Sequence, residues 1–298
     1  VMSEPPEYFS TLAPTVARAV EVAAAGGHGI LFVGAPGSGA LLAARAAAEV
    51  LPPLSDPEAA EVAAVYSCVR TFRPTAVRPF RAPHHDVSVA GLVGGGTAAR
   101  PGEVSLAHRG TLVLDQLPEL HPTAMRVLAE ALRNQRTTLR CKGAVVTHPA
   151  APVLLAATMQ PCPCGLRESC ACSKERIARY AERIAPLRPF FDLRVEVPVR
   201  DYKKIVADAL QGECVDFVKN RVARAWEVQQ RRGAVNGRID REDIRRLCAL
   251  DADAERLLDY ASKRFEFTTE HGHQIVRVAR TLADLEGCDA IKTTNIVE

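Results

Sequence analysis

The feature that most narrows the fold is a glycine-rich turn, Gly34-Ala-Pro-Gly-Ser-Gly-Ala-Leu41, set between a short apolar run and an alanine-rich stretch. Gly29 to Val33 reads as a buried strand and Gly39 to Val50 as a helix. A strand, a glycine turn and a helix in that order are the context of a phosphate-binding loop. There the glycines let backbone N–H groups wrap phosphate oxygens at a helix N-terminus. The pattern calls for Lys and then Ser or Thr at its last two places, and this chain has Ala40 and Leu41. Without the lysine no ammonium reaches the β- and γ-phosphates, and without the hydroxyl magnesium loses a ligand. A bare glycine-rich turn is often only a turn, so the rest of the chain has to decide.

Up to Pro198, apolar runs alternate with helical stretches. The pattern predicts a helix over Pro14 to Ala25, a capped helix from Ser55 to Ser67, a strand at Thr111 to Leu114 and a helix at Pro122 to Asn134. It then predicts a hairpin from Thr137 to Thr147 around Gly143, strands at Val153 to Ala157 and Leu193 to Val197, and a helix between them from Ser173 to Ile184. Arg70 to Gly102, full of Pro, Gly and His, reads as loop and hairpin. The expectation is an α/β domain over residues 1–198, a parallel sheet with helices on both faces, and a small helical domain over 199–298. Apolar residues make up 47% of the chain but aromatics only 5%, so Ala, Val and Leu must do most of the packing.

Longer motifs occur in order: Gly26-Gly-His-Gly29, Arg78-Pro-Phe-Arg-Ala-Pro-His-His85, Leu92-Val-Gly-Gly-Gly96, Arg100-Pro-Gly-Glu-Val-Ser-Leu-Ala-His108 and Pro161-Cys-Pro-Cys-Gly165. Near the end stands Val278-Ala-Arg-Thr-Leu-Ala-Asp-Leu-Glu-Gly287. On these residues the chain resembles the AAA+ part of the magnesium-chelatase-like ATPases, in the ComM branch, from about Ala13 to Val297. The resemblance implies an AAA+ P-loop sheet followed by an all-α lid. It does not extend to the amino-terminal Lon-protease-like domain usual in that branch, so the sequence reads as a short form or a fragment.

Carried onto this chain, the family's functional positions are consistently altered. In the phosphate loop, Gly34, Pro36, Gly37, Ser38 and Gly39 fit the pattern, whereas Ala40 and Leu41 do not. Strand Thr111 to Leu114 leads into Asp115-Gln116 where the family has Asp-Glu. Asp115 keeps a carboxylate for magnesium, but Gln116 cannot accept a proton from attacking water. The sensor asparagine is Gln160, the arginine-finger position falls on Phe190, and the second-sensor arginine is replaced by Glu270. Three positions that would carry positive charge for ATP have thus become Ala40, Phe190 and Glu270. An arginine finger alone is worth roughly 10³–10⁵ in rate. The expectation is a pseudo-ATPase with weak or absent magnesium-ATP binding, serving as a scaffold or regulatory subunit in a ring of like or related chains. The alternative is a ComM-like ATP-driven hexameric DNA translocase that tolerates an eroded site.

Cys162, Cys164, Cys170 and Cys172 form two C-x-C pairs, a donor set suited to one structural zinc; the alternative is four free thiols on a loop. Cys68, Cys141, Cys214, Cys248 and Cys288 read as packing residues. His84-His85 read as loop histidines, with no carboxylate or cysteine at ligand spacing. Arg133, Arg136, Arg140 and Lys142 cluster where the resemblance places a ring's pore, and they fit either a DNA-backbone contact or a solvated basic face. The net charge of +3 does not identify nucleic acid as a partner. Nine cysteines behind an acidic, Pro-rich start unlike a secretory signal lead to the expectation of a soluble cytoplasmic protein without a membrane span.

Overall fold

The central strands are apolar on both faces, as a sheet covered by helices on both sides requires. Ile30 and Phe32 enter one core while Leu31 and Val33 enter the other, because successive strand side chains point to opposite faces. The computed structural model describes residues 8–69, 76–141, 143–165, 170–201, 203, 205 and 213–298. Its first half runs α1 (Pro14–Gly26), β1 (Ile30–Gly34), α2 (Ala40–Glu49), α3 (Asp56–Ser67), β2 (Phe80–Arg81), α4 (Val89–Val93), β3 (Gly94–Gly95), β4 (Arg100–Pro101) and α5 (Glu103–Leu106). It continues with β5 (Thr111–Leu114), α6 (Pro122–Asn134), β6 (Arg136–Cys141), β7 (Ala144–Pro149), β8 (Leu154–Met159), α7 (Lys174–Glu182) and β9 (Leu193–Val197). A helical region follows: α8 (Val215–Arg232), α9 (Ile244–Leu247), α10 (Ala252–Phe265), α11 (Thr269–Glu286) and α12 (Thr293–Val297).

Five strands form one sheet in the order β2-β5-β8-β1-β9, every pair parallel. β1 therefore lies between two strands that come more than a hundred residues later. The crevice where connections leave a sheet on both sides of one strand is the usual ligand position in such folds, at the carboxyl ends of the strands. The phosphate loop opens there. Helix α2 can lie close to the sheet because Ala43, Ala44, Ala46 and Ala47 are fully buried and carry only methyl groups.

The stretch expected to be loop and hairpin contains a fifth sheet strand, a correction to the sequence reading. Arg78 is buried and donates to the carbonyls of Pro52 and Arg109 and to Glu58. That anchor lays Phe80–Arg81 beside β5, where Thr111 N donates to Pro79 O at 2.7 Å. Gly110 permits the approach, since a Cβ there would stand 2.0 Å from Pro79 O.

The helical region is docked through α8. Its buried residues Val215, Val218, Val222, Ala225, Trp226 and Gln229 recur at helical spacing and join the core beneath α1. Trp226 Nε1 donates to Ala24 O at 2.9 Å and Gln229 Nε2 to Ala25 O at 2.7 Å, which satisfies carbonyls at the C-terminal end of α1. Ile239, Ile244, Leu247, Val276, Ala279, Ala283 and Ile291 build a separate small core among the remaining helices. Among the described residues, no helix is long and apolar enough to cross a membrane.

Candidate functional site

The phosphate loop keeps its backbone form. Gly37 and Gly39 have φ of +79° and +89°, a region that side chains with a Cβ rarely enter, and Gly39 is the N-cap of α2. Gly34 has no room for a side chain either: a Cβ would stand 2.2 Å from Ser38 Oγ. The first turn of α2 has no side-chain cap at Gly39, so its N–H groups face the loop. What the loop lacks is charge. Ala40 and Leu41 are half-buried and pack against the apolar core under α1 and α2. Where the pattern calls for an ammonium and a hydroxyl, this loop has hydrocarbon facing inward.

Asp115 and Gln116 follow β5, and Gln160 follows β8, so the topology brings all three to the same edge of the sheet as the phosphate loop. Thr158 Oγ1 donates to Asp115 Oδ1 at 2.5 Å and accepts from Gln116 N at 3.0 Å. Gln116 is exposed with φ of +50°. The hydroxyl fixes the direction of the Asp115 carboxylate; Thr158 carries this role unnoticed in the sequence, although its place near the end of an apolar strand could have signalled it.

Phe190 and Glu270 lie elsewhere. They line a cleft of 170 Å³ with Gly29, Val153 and Asp192, residues that precede β1, β8 and β9. That is the amino-terminal edge of the sheet, one full strand length from the phosphate loop, or roughly 15 Å at about 3.3 Å per residue. Within one chain, then, the structure does not bring these two positions to the glycine loop. Glu270 pairs with Arg241, and that hydrogen bond holds its carboxyl below the usual range.

The cysteine loop follows the β8 end of the site. Cys162 is buried, Cys170 and Cys172 are half-buried and Cys164 is exposed. The Sγ–Sγ distances are 3.2 Å for Cys162–Cys164, 3.6 Å for Cys164–Cys170 and 3.4 Å for Cys170–Cys162. All four sulfurs lie within 4.8 Å of one another. Zn–S bonds of about 2.3 Å in a tetrahedron place sulfurs about 3.8 Å apart, so this donor set fits a four-thiolate zinc with movements of a few tenths of an ångström. Gly165, at φ +70°, closes the turn against the phosphate loop.

A carboxylate does lie beside His84-His85: the turn closed by Val87 N to His84 O brings Asp86 within 3.4 Å of His84 Nδ1 and 3.8 Å of His85 Nε2. His84 and Asp86 are 70% and 81% exposed, so water competes there for any ligand. Of the cysteines read as packing residues, Cys248 is buried, and burial pushes its thiol up to about 11, whereas Cys68 and Cys214 are exposed. Arg136 and Arg140 stand exposed on one face of the β6–β7 hairpin, two pairs of residues apart on the strand, and Arg133 is exposed in the last turn of α6. Lys142 lies outside the described residues.

Comparison with known proteins supports the architecture. A family model described as magnesium chelatase, subunit ChlI, matches residues 13–205, and one described as its C-terminal part matches residues 212–298. Uncharacterized protein YifB of Salmonella typhimurium is 37% identical over 288 residues, covering 94% of this chain and 57% of that protein. Competence protein ComM of Haemophilus influenzae is 36% identical, with 94% and 56% covered. An uncharacterized protein of Mycobacterium tuberculosis is 35% identical over 300 residues, with 95% and 59% covered. The chain thus spans somewhat more than half the length of these curated relatives. With both family models matched in order over a parallel sheet and its helical sequel, the chain belongs to the magnesium chelatase ChlI family, with ComM and YifB among its relatives.

Proposed function

We propose that this chain is a catalytically degenerate AAA+ subunit, a pseudo-ATPase that serves as scaffold or regulator in a ring of like or related subunits. The observation that carries this reading is the phosphate loop, whose glycine conformation is intact while Ala40 and Leu41 turn methyl groups into the core. A loop of N–H groups alone meets a nucleotide without the lysine that would stabilise its β- and γ-phosphates or the hydroxyl that would hold magnesium. Asp115 remains positioned for a metal through Thr158, but Gln116 is no base for the attacking water. Phe190 and Glu270, at the far edge of the sheet, would face a neighbouring subunit's nucleotide in a ring; one carries no charge and the other the wrong one. The two parts of such a subunit are the α/β domain over residues 1–198 and the lid over 199–298. Cys162, Cys164, Cys170 and Cys172 would hold a structural zinc whose role is to fix the loop beside Gln160, and the unlinked thiols fit a reducing, cytoplasmic setting. Calorimetric titration of the purified protein with magnesium-ATP tests the reading: absence of binding supports it, and binding with turnover contradicts it.

One observation favours the second reading, an ATP-driven DNA translocase. Arg136 and Arg140 share an exposed hairpin face, the arrangement that grips phosphate backbone without reading sequence. DNA binding that falls steeply with salt and is lost in Arg136→Ala/Arg140→Ala would support a DNA role for the ring whether or not this subunit hydrolyses ATP.

A further inference from the structure

Helix α11 carries apolar residues on two neighbouring faces. Val276, Ala279 and Ala283 enter the small core of the helical region. One position earlier in each case, Ile275, Val278 and Leu282 repeat at the same i, i+3, i+7 spacing and line a groove of 620 Å³ instead. Leu282 is buried there, and Ile275 and Val278 are half-buried. The groove is completed by Phe265 at the end of α10 and by Ile296 and Val297 of α12.

A tight turn shapes one wall. Glu266 takes φ of +52° and ends α10, and Thr268 caps α11 by accepting from His271 N at 3.3 Å. Across that turn the rings of Phe265 and Phe267 stack with centroids 5.7 Å apart. The stack supports the wall, yet Phe265 stays 67% exposed and Val297 73%. One exposed apolar side chain needs no explanation, but two on the rim of one apolar groove mark surface for a partner to bury.

The lining also sets the partner's charge. Its carboxylates are Asp192, Glu266 and Glu298, and it contains no Lys or Arg. Asp192 is neutralised by His28 and Arg277, and Glu298 meets Arg18 at 2.7 Å on the surface. Glu266 is exposed and, among the described residues, has no ion pair. His271 is the one lining side chain able to become cationic. Such a rim disfavours anionic lipid headgroups and nucleic-acid phosphates alike. A strand has no ladder to extend there, because the groove meets β9 only at its first residue, Leu193. A helix does fit, since Ile275 to Leu282 runs roughly 10 Å at 1.5 Å per residue, the length of two turns.

We infer that this groove docks an amphipathic helix of a partner protein, with apolar residues against Ile275, Val278 and Leu282 and basic residues against Glu266 and Glu298. Anchors at i, i+3 and i+7 on the partner would match those of α11. The docking does not depend on nucleotide at the phosphate loop.

The test is fluorescence anisotropy of a labelled peptide titrated with the whole protein. The probe is a helical peptide of about four turns, with Leu at i, i+3, i+7 and i+10 and Lys at the flanking positions. Its controls are the same peptide with Glu for Lys, and with a central Pro that breaks the helix. Saturable binding of the Lys peptide is expected, with both controls weaker by roughly tenfold or more, as loss of the charge match or of aligned anchors requires. Phe265→Ala and Val297→Asp, both at exposed positions, should each weaken it by roughly tenfold or more. Glu266→Gln should weaken it about threefold at low salt and less at high salt, as an exposed ion pair does. Phe217→Ala removes a comparably exposed side chain of α8 outside the groove and should change nothing. Sedimentation velocity on the protein without peptide covers the remaining occupant: self-association that Phe265→Ala abolishes assigns the groove to a second copy and overturns the inference. So does an absence of saturable binding, equal binding of either control peptide, or binding that Phe265→Ala and Val297→Asp leave intact.

Discussion

Gly165 and Pro36 are in direct contact: a Cβ added to the glycine would stand 3.0 Å from Pro36 Cδ and 2.8 Å from Gln160 Oε1. The cysteine loop and the phosphate loop are thus one packed unit, although 129 residues of chain separate the two. Gly165→Ala would collide with both neighbours and place a Cβ at φ +70°, at a cost of about 1–2 kcal/mol for the left-handed conformation alone. Thermal unfolding should show that loss, and zinc should be released at lower chelator concentration than from the unaltered chain. A variant as stable and as metal-tight as the parent would show that the two loops are not coupled.

Protein purified without chelator should contain close to one zinc per chain. Thiol alkylation then sorts the cysteines in three steps. Exposed Cys68 and Cys214 react first; Cys162, Cys164, Cys170 and Cys172 react only after chelation; and Cys248 reacts only on unfolding, because burial raises its thiol to about 11. Metal-free protein in which all four clustered thiols react at once would refute the zinc site.

Asp192 makes stability depend on acid. Burial works to raise its carboxyl, but the hydrogen bond and charge of His28, together with Arg277, outweigh that and hold it below its ordinary value. A carboxylate depressed in the folded state stabilises above its unfolded pKa of about 3.9, and the contribution is lost as pH falls through the folded value. Urea unfolding should therefore weaken below about pH 4. Asp192→Asn should flatten that decline and cost about 3–5 kcal/mol near neutrality, because Arg277 and His28 lose their buried partner. An unchanged acid profile in the variant would remove Asp192 from this role.

Much of this architecture can be read from local signals. Helix α6 begins at Pro122 and ends at Asn134 as expected, since proline suits a first turn and Gln135 turns left-handed to stop it. The Ser55–Glu58 capping box forms as the spacing requires. Strand β2 is not legible because two residues among prolines and histidines carry no periodicity; only the distant anchor of Arg78 creates it. The phosphate loop, Asp115 and the cysteines are legible as motifs because each is contiguous. The contacts His28–Asp192 and Asp192–Arg277 join residues 164 and 85 apart; the pairing of β1 with β9 brings the first together, and the packing of α11 against that sheet edge the second.

Assembly should be indifferent to nucleotide. Phe191 is buried in the chain's own core, so any ring contact here would fall on the half-buried Phe190 and rest on apolar burial, which salt does not screen as it screens exposed charge. Light scattering across moderate salt should give one oligomeric state with or without magnesium-ATP. An ATP-driven shift from monomer to ring would contradict the expectation.

The central claim, a phosphate loop with its shape but not its charge, is tested most directly by ATP hydrolysis in the unaltered chain and in Ala40→Lys/Leu41→Thr. The account predicts background turnover in both, with some magnesium-ATP binding regained in the double variant, because Gln116 and Phe190 still lack their functions. A magnesium-dependent ATPase rate in the unaltered chain, abolished by Asp115→Ala, would contradict it.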